Sequence, residues 1–346
     1  MLGAIYTVIS LQLLILATLF YLVLHRVIVR LLEHRAERRK QYFEPHVFNL
    51  LNNPEATEPL ERSPRPGDRN LVKELLLQQA VQLKGEERQN MTAAFENLGY
   101  VESEISALHS RRWWRRLEAA INLGIIQSQV AISFLIGATK DPVEDVRLAA
   151  VRALGQLNNP WGLKVLLNAI EEGERWTGSN IVEVLIGMGA MVSPEIVSRL
   201  ESTTNVNARL LYVRLCGLLR IPQAVRRLCL LLDDADKETR ISAARALGQI
   251  GDISAVESLI SSLDDESWEV KAQAAKALGA LGDVIAVEKL KEKLSDKNWW
   301  VRHNAANSLY QLGEGGVEVL HKTSASGEGL SSIVAAQILA ERALGV

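Results

Sequence analysis

With 346 residues, 48% of them hydrophobic, the chain is long enough for two ordinary domains and too apolar for wholesale disorder. Only 5% are aromatic, seven of them Trp, so the core must be aliphatic, which suits helices better than β-sandwiches. The formal charge is -2, but residues 25–40 hold six basic and two acidic side chains, so the remaining 33 basic and 39 acidic groups make an acidic body that argues against nucleic acid as a partner.

The first element is an uncharged run, Leu2 to Leu24, slightly longer than the ~20 residues a helix needs to cross a bilayer. No basic residue precedes it, as one would in a cleavable signal peptide. Arg26, Arg30, Arg35, Arg38, Arg39 and Lys40 follow it, the flank that the positive-inside rule counts. The pattern predicts a single-pass protein of the inner (cytoplasmic) membrane, held by residues 2–24, with its N-terminus out and all that follows residue 25 cytoplasmic. Residues 1–40 form this helix and its basic juxtamembrane extension, in which His25 and His34 are given no chemical role. Residues 41–70 contain Pro45, Pro54, Pro59, Pro64 and Pro66 and read as a linker, with an apolar patch from Phe43 to Leu51 able to dock on a neighbour. Residues 71–97 carry two helical apolar patterns separated by Gly85 and stopped by Gly99, read as adaptor helices.

From residue 98 to 346 the chain repeats itself. Gly124, Gly155, Gly187, Gly217, Gly248, Gly279 and Tyr310 fall in register at intervals of 31, 32, 30, 31, 31 and 31 residues, with a weaker copy at Ala340. Each interval holds two helical stretches. The second carries a small residue (Ala119, Ala150, Ala243, Ala274, Ala305) one turn before an apolar one, where a close helix crossing needs little volume. The Gly-Asp pairs at 251–252 and 282–283 supply a helix stop and the next cap. One helix pair cannot bury its apolar face alone, so the predicted fold is all-α, a right-handed α-solenoid of about eight helix pairs behind one N-terminal transmembrane helix.

The segments "DPVEDVRLAAVRALGQL", "DADKETRISAARALGQIGD", "DESWEVKAQAAKALGALGD" and "DKNWWVRHNAANSL" resemble short HEAT repeats of the kind found in phycobilisome lyase subunits. In that family an Asp in the inter-helix turn and a base early in the second helix form a ladder between units. The resemblance assigns those roles to Asp141, Asp234, Asp265 and Asp296, each six residues before Arg147, Arg240, Lys271 and Arg302. Arg116 and Arg209 face Ser110 and Thr203, so the ladder is expected to be incomplete there; Gly173 and Ser179 lack both partners. The plan of one span, adaptor helices and short repeats also resembles bacterial membrane-anchored HEAT-repeat proteins, which implies a partner in envelope, exopolysaccharide or signalling machinery.

Trp113, Trp176, Trp268 and Trp299 stand three residues before the base position. This predicts a structural role covering the turn, with the indole N–H reaching a turn carbonyl. Trp114 and Trp300 point differently, and the "RRWWRR" stretch at 111–116 retains a second reading at an anionic membrane face.

No catalytic motif, cofactor signature or metal-ligand spacing stands out. Cys216 and Cys229 match Leu and Ile positions of other copies and read as core fillers. Five residues after the base come Arg152, Arg214, Arg245 and Lys276, and seven positions before these a parallel row reads Asp145, Glu238 and Glu269. They are either two solvated helix faces or, with Trp300, a charge-striped groove that selects a protein partner. The leading expectation is a non-enzymatic, membrane-tethered scaffold; the alternative suggested by the repeat type is a chromophore-lyase-like enzyme subunit.

Overall fold

A single helix, α1 (Leu2–Asn49), opens the chain in the computed structural model, which describes residues 2–61, 67–172, 179–327 and 329–344. At 1.5 Å per residue its 48 residues extend about 72 Å. It runs past residue 40 and through Pro45, correcting the reading of residues 41–49 as linker. Phe43, Val47 and Leu50 follow one helical face and are buried, and α1 packs on α3 (Asp68–Ala80). That burial holds the helix across a proline in its last turn, where few downstream hydrogen bonds remain to lose. The segment that follows is fixed rather than slack. Asn90 donates to the Leu51 carbonyl at 2.7 Å, Asn97 donates to that of Pro54 at 3.1 Å, and Leu60 of α2 (Glu58–Glu61) is buried. Pro64 and Pro66 lie outside the described residues.

Among the residues whose side chains are described, no single helix is long and apolar enough to cross a membrane; the apolar stretch of α1 so counted is Thr18–Val27. Leu19, Phe20, Tyr21, Leu22 and Val23 are exposed there. All regular structure among the described residues is helical.

The chain divides into two compact units, Met1–Ala153 and Leu154–Val346. In the first, α4 (Gly85–Asn97) and α5 (Tyr100–Ala107) precede α6 (Trp113–Ile126), α7 (Ile132–Ala138) and α8 (Glu144–Leu157), within which the division falls. Arg88 on α4 donates to the carbonyls of Ala80 and Ile125, satisfying two helix ends at once. Burial lowers its pKa. Gly99 adopts φ 69°, the left-handed turn that a Cβ would strain.

The second unit contains α9 (Pro160–Glu171), α10 (Ser179–Gly187), α11 (Ser193–Ser202), α12 (Val206–Leu218), α13 (Val225–Leu230), α14 (Lys237–Ile250), α15 (Val256–Ser262), α16 (Trp268–Leu281), α17 (Val287–Lys293), α18 (Trp299–Gln311), α19 (Glu314–Ala325) and α20 (Gly329–Ala343). Each odd-numbered helix from α11 packs on the even one that follows, and α12, α14, α16, α18 and α20 pack in succession. This is the stacking that the 31-residue period requires. Leu247, Leu278 and Leu309 are wholly buried at its register positions, each contributing about 1.5–3 kcal/mol. Gly251 and Gly282 end α14 and α16 at φ 80° and 76°, and Asp252 and Asp283 then cap the next turns through the amides of Ser254 and Ile285.

Candidate partner-binding surface

The surface is set by how successive units are pinned. Each ladder aspartate lies in a turn and uses one oxygen for its own backbone: Asp141, Asp234, Asp265 and Asp296 accept from the amides of Val143, Asp236, Ser267 and Asn298 at 2.7–2.9 Å. The other oxygen accepts from the base of the preceding helix pair, 25 residues earlier, and the guanidinium groups of Arg116 and Arg240 donate to the first oxygen as well. Arg116 reaches Asp141 at 2.6 Å, Arg209 reaches Asp234 at 2.8 Å, Arg240 reaches Asp265 at 2.8 Å and Lys271 reaches Asp296 at 2.6 Å. Meanwhile the arginines bind back to their own turns: Arg147 donates to the Asp141 carbonyl, Arg240 to that of Asp234 and Arg302 to that of Asp296.

The expectation of incomplete rungs at Arg116 and Arg209 is therefore corrected. A base pairs forward, so the lack of an Asp at Ser110 or Thr203 leaves it whole. At Thr203 a different contact replaces the rung: Thr203 and Tyr212 both donate their hydroxyls to the Glu171 carboxylate, at 2.8 and 3.0 Å. Gly173 and Trp176 lie outside the described residues, as does the side chain of Ser179.

Held in this register, α12, α14 and α16 present Arg214, Arg245 and Lys276 to solvent at equivalent positions. None of the three has an ion pair or hydrogen bond among the described residues, whereas Lys237 at the start of α14 is paired with Glu269. A groove of about 740 Å³ between α12 and α14 brings together Arg214, Glu238 and Arg245. Its border includes Leu210, Leu211, Asn207, Ser242 and Gln249, which the charge pattern alone had not picked out. At the fourth position of the row stands Asn307, and Arg342 of α20 donates to its side chain at 3.2 Å, bringing another cation to that end.

The acidic row is uneven. Glu238 is exposed, while Glu269 accepts from the Ser267 hydroxyl at 2.6 Å and from Lys237 at 2.9 Å. Those two bonds, the hydroxyl's first, hold its carboxyl down at about 2. Arg152 and Asp145 are exposed on α8.

Of the flanking basic residues of α1, Arg26, Arg30 and Arg38 are exposed, and Arg39 forms an ion pair with the buried Asp68 at the start of α3. Arg39 thus serves the fold as well as belonging to the basic flank.

The tryptophans also differ from expectation. Trp113, Trp268 and Trp299 each open a second helix but are 43%, 40% and 42% exposed, and among the described residues no indole N–H meets a turn carbonyl. Trp114 and Trp300 are more exposed still. Trp299 packs edge-on to Trp300 at 4.7 Å and stacks on His303 at 4.6 Å, so the aromatics decorate the helix starts rather than seal the turns.

Cys216 is buried, and burial pushes its thiol up to about 12; Cys229 is raised for the same reason. Neither thiol is held in the reactive thiolate form. Among the described residues no group of three His, Cys, Asp or Glu side chains is placed to hold a metal ion.

The family profile of HEAT repeats matches residues 101–186, 193–267 and 256–326. No curated protein matches the chain in sequence. Among solved structures, the CpcE and CpcF complex of phycocyanin lyase from Nostoc is 21% identical over 64% of this chain and 92% of that chain, with a TM-score of 0.31. Kap121p bound to Nup53p is 13% identical over 84% of this chain and 39% of that chain, with a TM-score of 0.51. The second is a likeness of fold alone, and the first is too loose in shape to carry an argument.

Proposed function

Because the chain belongs to the HEAT-repeat family, we propose that it is a membrane-tethered, non-catalytic scaffold: a right-handed solenoid of about eight helix pairs that holds a protein partner at the inner membrane face. One observation carries the reading. Arg214, Arg245 and Lys276 stand exposed and unpaired among the described residues, at one register position on three consecutively packed helices. Unpaired charges at one register position cost solubility nothing, and they gain energy when a complementary partner docks.

The tether is supported by the continuity of α1 from Leu2, by the exposed apolar side chains around Phe20 and by the one-sided basic flank. Confinement to one surface raises effective concentration, so modest affinity suffices. The raised thiol pKa values of Cys216 and Cys229 weigh against covalent chromophore chemistry.

The test is crosslinking of the full-length protein in cells, with mass spectrometry of what co-purifies from membranes, beside the variant Arg214→Glu, Arg245→Glu, Lys276→Glu. A specific partner enriched by the parent and lost by the folded variant is the expected result. The same partners with both proteins would remove this surface from the reading, and no specific partner would overturn the scaffold reading itself.

A further inference from the structure

We infer, resting on the scaffold reading above, that the surface crossing α12, α14 and α16 receives an extended acidic segment of the partner chain whose carboxylates recur at every third residue. The sign of the occupant follows from the three unpaired cations. Its spacing follows from the packing. Helices in contact lie about 8–10 Å apart, and each of these three offers one cation at the same register position, so successive cations are about one helix spacing apart. An extended chain in the polyproline II form rises about 3.1 Å per residue with three residues per turn, so three residues cover that interval and return each carboxylate to the same face. Seven residues carry three carboxylates past Arg214, Arg245 and Lys276 in turn.

Two further features favour an extended occupant. Asn207, Ser242 and Gln249 border the groove and give side-chain donors and acceptors suited to a backbone with free N–H and C=O groups. The acidic row stands seven residues away along α14 and α16, about 10 Å at 1.5 Å per residue, and Glu238 lies in the groove itself. A docked helix, about 10–12 Å wide with its side chains, would cover both rows and bring its acids against Glu238. A nucleic-acid strand, anionic at every residue, would meet the same repulsion.

The experiment measures binding of fluorescent peptides and an oligonucleotide to the full-length protein in nanodiscs, by anisotropy at low and moderate salt. Three peptides carry three glutamates each: at every third position with Gly and Pro spacers, at every second position with the same spacers, and at every seventh position of an Ala-rich helix. The fourth probe is single-stranded DNA. The three-residue spacing is expected to bind about tenfold more tightly than the others, the discrimination that matched charge register gives. The Arg214→Glu, Arg245→Glu, Lys276→Glu variant, its folding checked by circular dichroism and thermal midpoint, is expected to lose that preference. Equal binding of both extended spacings, tighter binding of the helix, or binding of DNA as tight as of the peptide overturns the inference. If crosslinking yields a partner that the variant loses while the three-residue peptide fails to bind, the scaffold reading stands and the register does not. If crosslinking yields no partner, the scaffold reading itself falls, and the inference falls with it.

Discussion

Each ladder aspartate joins two levels of structure, because one oxygen shapes its own turn and the other takes the cation of the preceding helix pair. The six-residue spacing of Asp and base was legible in the sequence, but the 25-residue partnership was not. Which of two flanking bases an aspartate meets depends on how helix pairs stack, and the sequence pattern is compatible with either. Asp141 makes the consequence measurable. The Arg116 side-chain hydrogen bond, the largest effect, holds its carboxyl below the usual range, and both side chains are largely buried. A depressed carboxylate contributes stability above the ordinary aspartate pKa, near 3.9, and that contribution is lost as pH falls through the folded value. Asp141→Asn is therefore expected to cost about 2 kcal/mol at neutral pH, the penalty of leaving a buried guanidinium short of its partner. The gap to the parent should narrow as pH drops below about 4. Urea unfolding of detergent-solubilised protein between pH 7 and 3 reads this directly. A gap of constant size across that range would mean that the rung contributes nothing through charge.

At the scale of elements, the register glycines were visible as a periodic mark, but their purpose emerges only from the packing. A Cβ on Gly248 of α14 would stand 3.0 Å from the backbone of Ala277 on α16, and one on Gly279 would stand 2.7 Å from Cβ of Ser308 on α18. These positions let second helices cross closely, the task that the sequence reading gave to the alanines one turn earlier. Gly187 occupies the same register position in α10 and would meet nothing within 4 Å. The pair is a controlled comparison. Gly248→Ala is expected to destabilise by about 1–3 kcal/mol through overpacking, while Gly187→Ala should stabilise by about 0.5–1 kcal/mol because helical glycine is entropically costly. Thermal midpoints moving in the same direction for both would refute the close-approach explanation. The stretch after residue 40 was legible in part: the apolar patch from Phe43 to Leu51 was visible as able to dock, and Phe43, Val47 and Leu50 are buried, but the prolines, which are local signals, hid the helix that continues through Pro45 to pack on α3. The charged row keeps the repeat period because it occupies exposed positions, where packing does not interfere.

For the whole molecule, the length of α1 decides how far the proposed tether would hold its load from the bilayer. If Leu2 to Leu24 spans the bilayer, α1 continues for another 14 residues before Arg39 pairs with Asp68 of α3, a stalk of about 21 Å of helix at 1.5 Å per residue. On that reading Arg26 and Arg30, exposed within about 9 Å of Leu24 along the helix, lie close enough to anionic headgroups to reinforce the orientation. This geometry weakens the alternative in which the "RRWWRR" corner rests on the membrane, because the helices that carry Trp113 and Trp114 belong to the packed unit beyond the stalk. Two measurements separate the possibilities. The full-length protein is expected to stay in the membrane fraction through alkaline carbonate extraction, and a variant lacking residues 1–25 is expected to be released into the soluble fraction. Replacing Trp113 and Trp114 with Ala should leave the full-length protein's partitioning unchanged. Release of the parent by carbonate would sink the spanning reading. Retention of the truncated variant on anionic vesicles, abolished by the tryptophan changes, would move the membrane contact from α1 to the start of α6.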